Sequence, residues 1–136
     1  MKFLNVFFLL IALNFGVQKS YGQPIRFQAS SVSFTDKKED GSWNEWSDFA
    51  PANVLITLNA KKDLITINSS EVQSFKIKAY GEITDNAEVN IVPFECVNNN
   101  SSKCNIIIIT KKKEDNRVQF YITYNDVKYV YNIYAK

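Results

Sequence analysis

The chain has 136 residues, of which 22% are charged, with 16 Lys plus Arg against 14 Asp plus Glu and no histidine. Without histidine there can be no Ser-His-Asp or Cys-His nucleophile pair, and the usual zinc ligation is lost as well. The formal charge of +2 comes from two lysines in the N-terminal segment, so the rest of the chain has no net positive field to drive non-specific nucleic-acid binding.

The first segment, MKFLNVFFLLIALNFGVQKSYGQP, starts with Lys2 and is apolar from Phe3 to Leu13 apart from Asn5. An apolar run of about ten residues is too short to span a bilayer, which predicts a cleaved secretory signal over 1–22. Ser20-Tyr21-Gly22 offers the small residues a signal peptidase inspects, leaving Gln23 as the mature first residue. Lys2 and Lys19 leave with the signal, so residues 23–136 carry 14 basic and 14 acidic side chains and are formally neutral. That length suits one domain, exported to the periplasm or beyond, with no transmembrane segment after signal removal.

Turn-formers recur along the mature chain and apolar residues alternate between them, the pattern of an antiparallel all-β domain. In "IRFQASSVSFT" the apolar phase moves from Phe27 and Ala29 to Val32 and Phe34 around Ser30-Ser31, which predicts a bulge. "DKKEDG" makes a charged turn, and "SWNEWS" reads as a short strand. In a strand, Trp43 and Trp46 must face opposite sides. Trp43, beside the charged turn, is expected to be partly exposed, and Trp46, ahead of Phe49 and Pro51, to pack inside.

"NVLITL" and "DLITIN" form a hairpin across Ala60-Lys61, pairing Val54 with Ile67 and Ile56 with Ile65, while Leu55, Thr57, Leu64 and Thr66 take the other face. "VQSFKIKAY" sends Phe75, Ile77 and Ala79 one way and Ser74, Lys76 and Lys78 the other. "EVNIVPFEC" then pairs with "CNIIIIT". With Cys96 opposite Cys104, Phe94 meets Ile106 and Val92 meets Ile108, and a second apolar face of Ile91, Pro93, Ile107 and Ile109 remains. Pro93 cannot donate to a ladder, so an edge or bulge is expected there. In an exported chain, a close cysteine pair predicts a Cys96–Cys104 disulfide.

"TKKKED" is a charged hairpin tip. In the last hairpin, an Asn125-Asp126 turn pairs Tyr124 with Val127, Ile122 with Tyr129, Phe120 with Tyr131 and Val118 with Ile133 on one face. Eight or nine short strands imply an up-and-down meander. Closure into a small barrel removes exposed edges, with a two-sheet sandwich as the alternative.

Few side chains suggest chemistry. The acidic residues sit mainly in turns, and "DKKEDG" has Lys38 where a calcium ligand would stand. No cofactor, metal or catalytic residue is expected, and the chain reads as non-enzymatic. The candidate binding residues are Trp43 and the face of Ile91, Pro93, Ile107 and Ile109.

Gly41-Ser42-Trp43 is similar to the Gly-x-Trp of lipocalins, whose last strand can place a basic residue near that Trp; here Lys128 is the late-strand candidate. In this chain the glycine closes a turn after an earlier strand, so the similarity is architectural. The whole mature chain also resembles small uncharacterised exported proteins of Bacteroidetes-type bacteria. The resemblance rests on Trp43-x-x-Trp46, the "VLITL/LITI" hairpin, the two cysteines around a polar loop and the closing "YND-V-Y" hairpin. It implies a bacterial envelope or secreted location and no particular activity. The expected function is binding of an apolar ligand or a partner protein. The alternative is a structural or inhibitor-like protein with a self-filled core.

Overall fold

The computed structural model of the chain describes residues 23–135. The expected signal at 1–22 lies outside the described residues. Nine strands follow in order: β1 (Ile25–Asp36), β2 (Ala50–Asn59), β3 (Leu64–Asn68), β4 (Val72–Tyr80), β5 (Thr84–Asp85), β6 (Val89–Asn98), β7 (Lys103–Lys111), β8 (Arg117–Thr123) and β9 (Val127–Ala135). Every pairing is antiparallel. β1 pairs with both β2 and β9, and β4 pairs with β6, so eight strands close into a barrel with β5 outside the ring. Closure satisfies the backbone groups that a sandwich would leave at its edges.

An eight-stranded barrel is just wide enough for its own side chains to fill. Phe75, Phe120, Ile56, Ile65, Ile67 and Ile106 are fully buried in its middle, together with Phe94 at 1% exposure. Each such side chain contributes roughly 1.5–3 kcal/mol by leaving water. The filled middle follows from the period-2 alternation read along the strands.

The expected bulge falls between Ala29 and Ser31 in both β1 ladders. The last hairpin has the expected register, with Ile122 opposite Tyr129, Phe120 opposite Tyr131 and Val118 opposite Ile133. The β6–β7 register is also as expected, including Cys96 opposite Cys104. The β2–β3 register differs by two residues: Ile56 meets Ile67 and Leu58 meets Ile65. The turn expected at Ala60-Lys61 is longer, a 3-10 turn over Ala60–Lys62 ended by left-handed Asp63, so the ladder resumes at Asn59–Leu64. A slip of two keeps every side chain on its face, so the inward residues were still assigned to the right side.

Ala79 points outward, against expectation. The β4–β6 register shifts between Ile77 and Ala79, so Lys78 is an extra residue, Ala79 meets Glu95 outside and Tyr80 meets Phe94 inside. Pro93 sits where a proline fits. The β4 ladder ends at Tyr80–Phe94 and β5 begins at Thr84–Ile91, so Pro93 lies in the gap between them. Its carbonyl accepts from the Gly81 N–H at 3.0 Å. In an antiparallel strand a residue's N–H and C=O point to the same side, so the missing donor faces this gap and the β6–β7 ladder loses nothing.

The segment after β1 is not the expected strand. It makes one isolated bridge, Lys37–Trp43, and then runs irregularly to β2. The β1–β2 ladder stops at Val32–Ala50, and this strap takes the free side of β1 beyond it. Asn44 N–H donates to the Asp36 carbonyl at 2.9 Å and Ser47 N–H to the Phe34 carbonyl at 2.8 Å. Ser33 Oγ donates to the Ser47 carbonyl and Thr35 Oγ1 to the Asn44 carbonyl, both at 2.6 Å. These bonds explain why Ser33 and Thr35 are buried although they face outward.

Candidate functional sites

The two tryptophans both lie on the outer wall, and neither is in the core. Trp46, expected inside, is the more exposed at 43%, because the alternation argument needed a strand that does not form. Its ring meets Tyr121 of β8 edge-on, with centroids 6.2 Å apart. Val130, outward on the intervening β9, is buried. Trp43 is half-buried beneath two lysines, with Lys128 Nζ 4.3 Å and Lys37 Nζ 5.3 Å from its ring centre.

The second apolar face of the β6–β7 hairpin forms two rows around the wall. One runs Pro93, Ile107, Tyr121, Val130 and Ser33, and the next runs Ile91, Ile109, Gln119, Asn132 and Ser31. The chain covers much of both. Trp46 packs on Tyr121, Thr84 pairs beside Ile91, and Gly81 lies so close to Pro93 that an added Cβ would stand 2.7 Å from the proline Cγ. Gln119 is buried within a polar network in which it and Arg117 donate to Asn132, and Asn132 donates to Ser31. Ile91, Pro93, Ile107 and Ile109 all stay half-buried. Trp43 is not in these rows, so the candidate binding residues do not form one site.

The cysteines are a second correction. They oppose one another as expected, but no disulfide joins them, and both are buried at 3% and 6% exposure. Cross-strand opposition does not by itself bring two sulfurs into bonding geometry. The two enter the packed interior as separate small apolar groups, and Cys104 shares a hydrogen bond with Tyr124. Burial, reinforced by its neighbour Cys104, pushes the Cys96 thiol up to about 12. Burial raises Cys104 to about 11 against the opposing effect of Tyr124. Both therefore stay protonated and are poor nucleophiles at neutral pH.

One concavity, of about 210 Å³, is lined by Glu88, Val89, Lys111, Lys113 and Glu114. Two others involve residues at the barrel end that carries the β1–β2, β3–β4, β6–β7 and β8–β9 connections. The first is a cup of about 340 Å³ in the barrel mouth, lined by Gln73, Ile122, Tyr124, Asp126, Val127, Tyr129 and Tyr131. It exists because the inward positions here are tyrosines, whose rings line the opening without filling it. Tyr124 and Tyr129 meet edge-on with centroids 6.5 Å apart, and Tyr131 stands edge-on to buried Phe120 at 6.4 Å. Burial raises the Tyr124 and Tyr131 hydroxyls, so both are neutral at physiological pH. Asp126 is the one charged residue lining the cup. Phe34, in phase with Val32 and paired with Tyr129, is 51% exposed near this mouth.

The second concavity is an outer groove of about 830 Å³. Its floor is one register row, Glu95, Asn105, Thr123 and Lys128, at right angles to the strands. Lys78, Lys103, Lys37 and Trp43 also line it, and Tyr124 borders both groove and cup. Trp43 and Lys128 stand out in the sequence, but neither concavity does. Among the described residues, no group of three or more His, Cys, Asp or Glu side chains could hold a metal ion.

No protein-family model matches the chain, and no curated protein or solved structure matches it either.

Proposed function

We propose that the protein is a non-enzymatic binding module whose mouth cup takes an uncharged apolar or aromatic group of a small molecule. One observation carries this reading: a barrel packed solid through its middle keeps an open, ring-lined cavity of about 340 Å³ at one end. Small-molecule sites typically span about 300–1,000 Å³ and combine apolar walls with a few polar groups. Here the walls are Ile122, Val127 and the tyrosines, and the polar groups are Gln73 and the tyrosine hydroxyls. Asp126 disfavours anionic ligands. The self-filled middle supports part of the alternative reading, a structural protein without a ligand, and limits the ligand to a group that fits the cup. Export remains part of the proposal. It rests on the N-terminal sequence, because the unbonded cysteines lend it no support.

A neutral solvatochromic dye such as Nile red tests the site. The wild-type chain should bind it with a blue-shifted emission, and Gln73→Phe, which fills the cup from β4, should abolish the shift while melting normally. An unchanged shift in a folded Gln73→Phe variant, or no shift in the wild type, would refute the assignment.

A further inference from the structure

We propose that the outer groove is a second, separate binding site, for an anionic oligosaccharide chain. Four lysines line it, Lys37, Lys78, Lys103 and Lys128, against one carboxylate, Glu95. The ion pairs among the described residues are Lys112–Asp85, Lys113–Glu88 and Arg117–Glu114. None involves a groove lysine. Residues 23–136, with no formal net charge, thus gather four cations outside these ion pairs in one concavity, which focuses positive potential there.

The spacing selects an extended ligand. Lys78 lies on β4, Lys103 on β7 and Lys128 on β9, with β6 and β8 between them. Neighbouring strands are about 4.8 Å apart, so Lys78 and Lys128 are separated by roughly 19 Å of wall, with Lys103 near the midpoint. A single phosphate or carboxylate cannot touch all three. A chain laid across the strands can, with an anionic group every sugar or two.

The remaining floor suits sugar hydroxyls, since Asn105, Thr123 and Asn125 offer both donors and acceptors. A nucleic-acid strand would instead need open aromatic faces for its bases. Trp43 does not provide one, because Lys128 and Lys37 stand over its ring. Asp126, next to Asn125 in the turn, lines the cup and not the groove.

The test uses the full mature chain and isothermal titration at low ionic strength. The probes are a sulfated heparin hexasaccharide, a hexagalacturonate, inorganic phosphate and a dT oligonucleotide. One or both hexasaccharides should bind, and which one does distinguishes sulfate from carboxylate recognition. Affinity should fall with added salt, and Lys78→Gln/Lys103→Gln should weaken it by about tenfold. Lys111→Gln/Lys113→Gln, at and just beyond the other end of β7 from Lys103, should leave it unchanged. The groove variants change exposed side chains, so matched melting curves will confirm that they fold. Four results would overturn the proposal: no binding of either hexasaccharide, an equal loss in the Lys111/Lys113 variant, phosphate binding as tightly as the hexasaccharides, or tighter binding of the oligonucleotide. Because the cup is untouched by Lys78 and Lys103, dye binding should persist in the groove variant.

Discussion

Lys128 Nζ stands 4.3 Å from the centre of the Trp43 ring, joining the first residue pair of the last hairpin arm to the strap that follows β1. Both are held by neighbours: Lys128 pairs with Thr35 and Thr123, and Trp43 bridges Lys37. The contact fastens the strap to the wall. A partly exposed cation–π contact is worth about 0.5–1 kcal/mol. Lys128→Met, which keeps most of the stem but removes the charge, should lower the unfolding free energy by that amount in a urea titration. Trp43 fluorescence should also become more sensitive to an added quencher.

Trp46 should matter less than a core ring. It is 43% exposed and rests on Tyr121 by its edge, whereas Phe120 is fully buried. Phe120→Ala should cost about 3–5 kcal/mol and Trp46→Ala about 1–2 kcal/mol. Equal losses in denaturant titrations would place Trp46 deeper than the outer wall.

Gly81 and Pro93 form a close backbone contact on the wall. A Cβ at position 81 would lie 2.7 Å from the Pro93 Cγ and 3.3 Å from its Cβ. Gly81→Ala should therefore destabilise the fold by about 1–3 kcal/mol. Adding Pro93→Ala removes the closer atom, so the double variant should recover part of the loss. Additive losses in the thermodynamic cycle would show that the contact is not the cause.

The thiols give a chemical and a pH signature. Native protein should react slowly with a thiol reagent, and unfolded protein should release two thiols without prior reduction. The folded-state pKa values are raised, to about 12 for Cys96 and about 11 for Cys104, from an ordinary value near 9.0. The unfolded chain therefore loses these protons first as the pH rises. The stabilisation is whole below about pH 9 and is lost progressively toward pH 11–12. Cys96→Ala/Cys104→Ala should flatten the first part of that decline. A melting temperature that falls equally in both proteins would assign the decline to other groups.

Much of the fold could be read from the order of side chains. Val118, Phe120, Ile122 and Tyr124 against Val127, Tyr129, Tyr131 and Ile133 fixed the last hairpin, because two-residue alternation and a two-residue turn leave one register. Where local turn chemistry competes, the order of side chains misleads. Ala60–Lys62 closed as a 3-10 turn, and Lys78 bulged, reversing Ala79. The strap went wrong for a different reason: its hydrogen bonds go to Ser33, Thr35 and the free side of β1, partners that nothing within "SWNEWS" announces. Neither concavity could be read locally. Lys37, Lys78, Lys103 and Lys128 lie far apart in sequence and meet only through the ring order, as do Gln73 and Tyr124 across the mouth.

The central claim is that the mouth cup receives the ligand, and methyl-resolved NMR tests it most directly. Isoleucine and valine methyl groups would be labelled, and a neutral aromatic probe titrated into residues 23–136. The Ile122 and Val127 methyls, which line the cup, should shift in step with binding. Those of Ile107 and Ile109, on the outer wall, should stay still. Shifts centred on Ile107 and Ile109, or a titration that moves none of these methyls, would contradict the account.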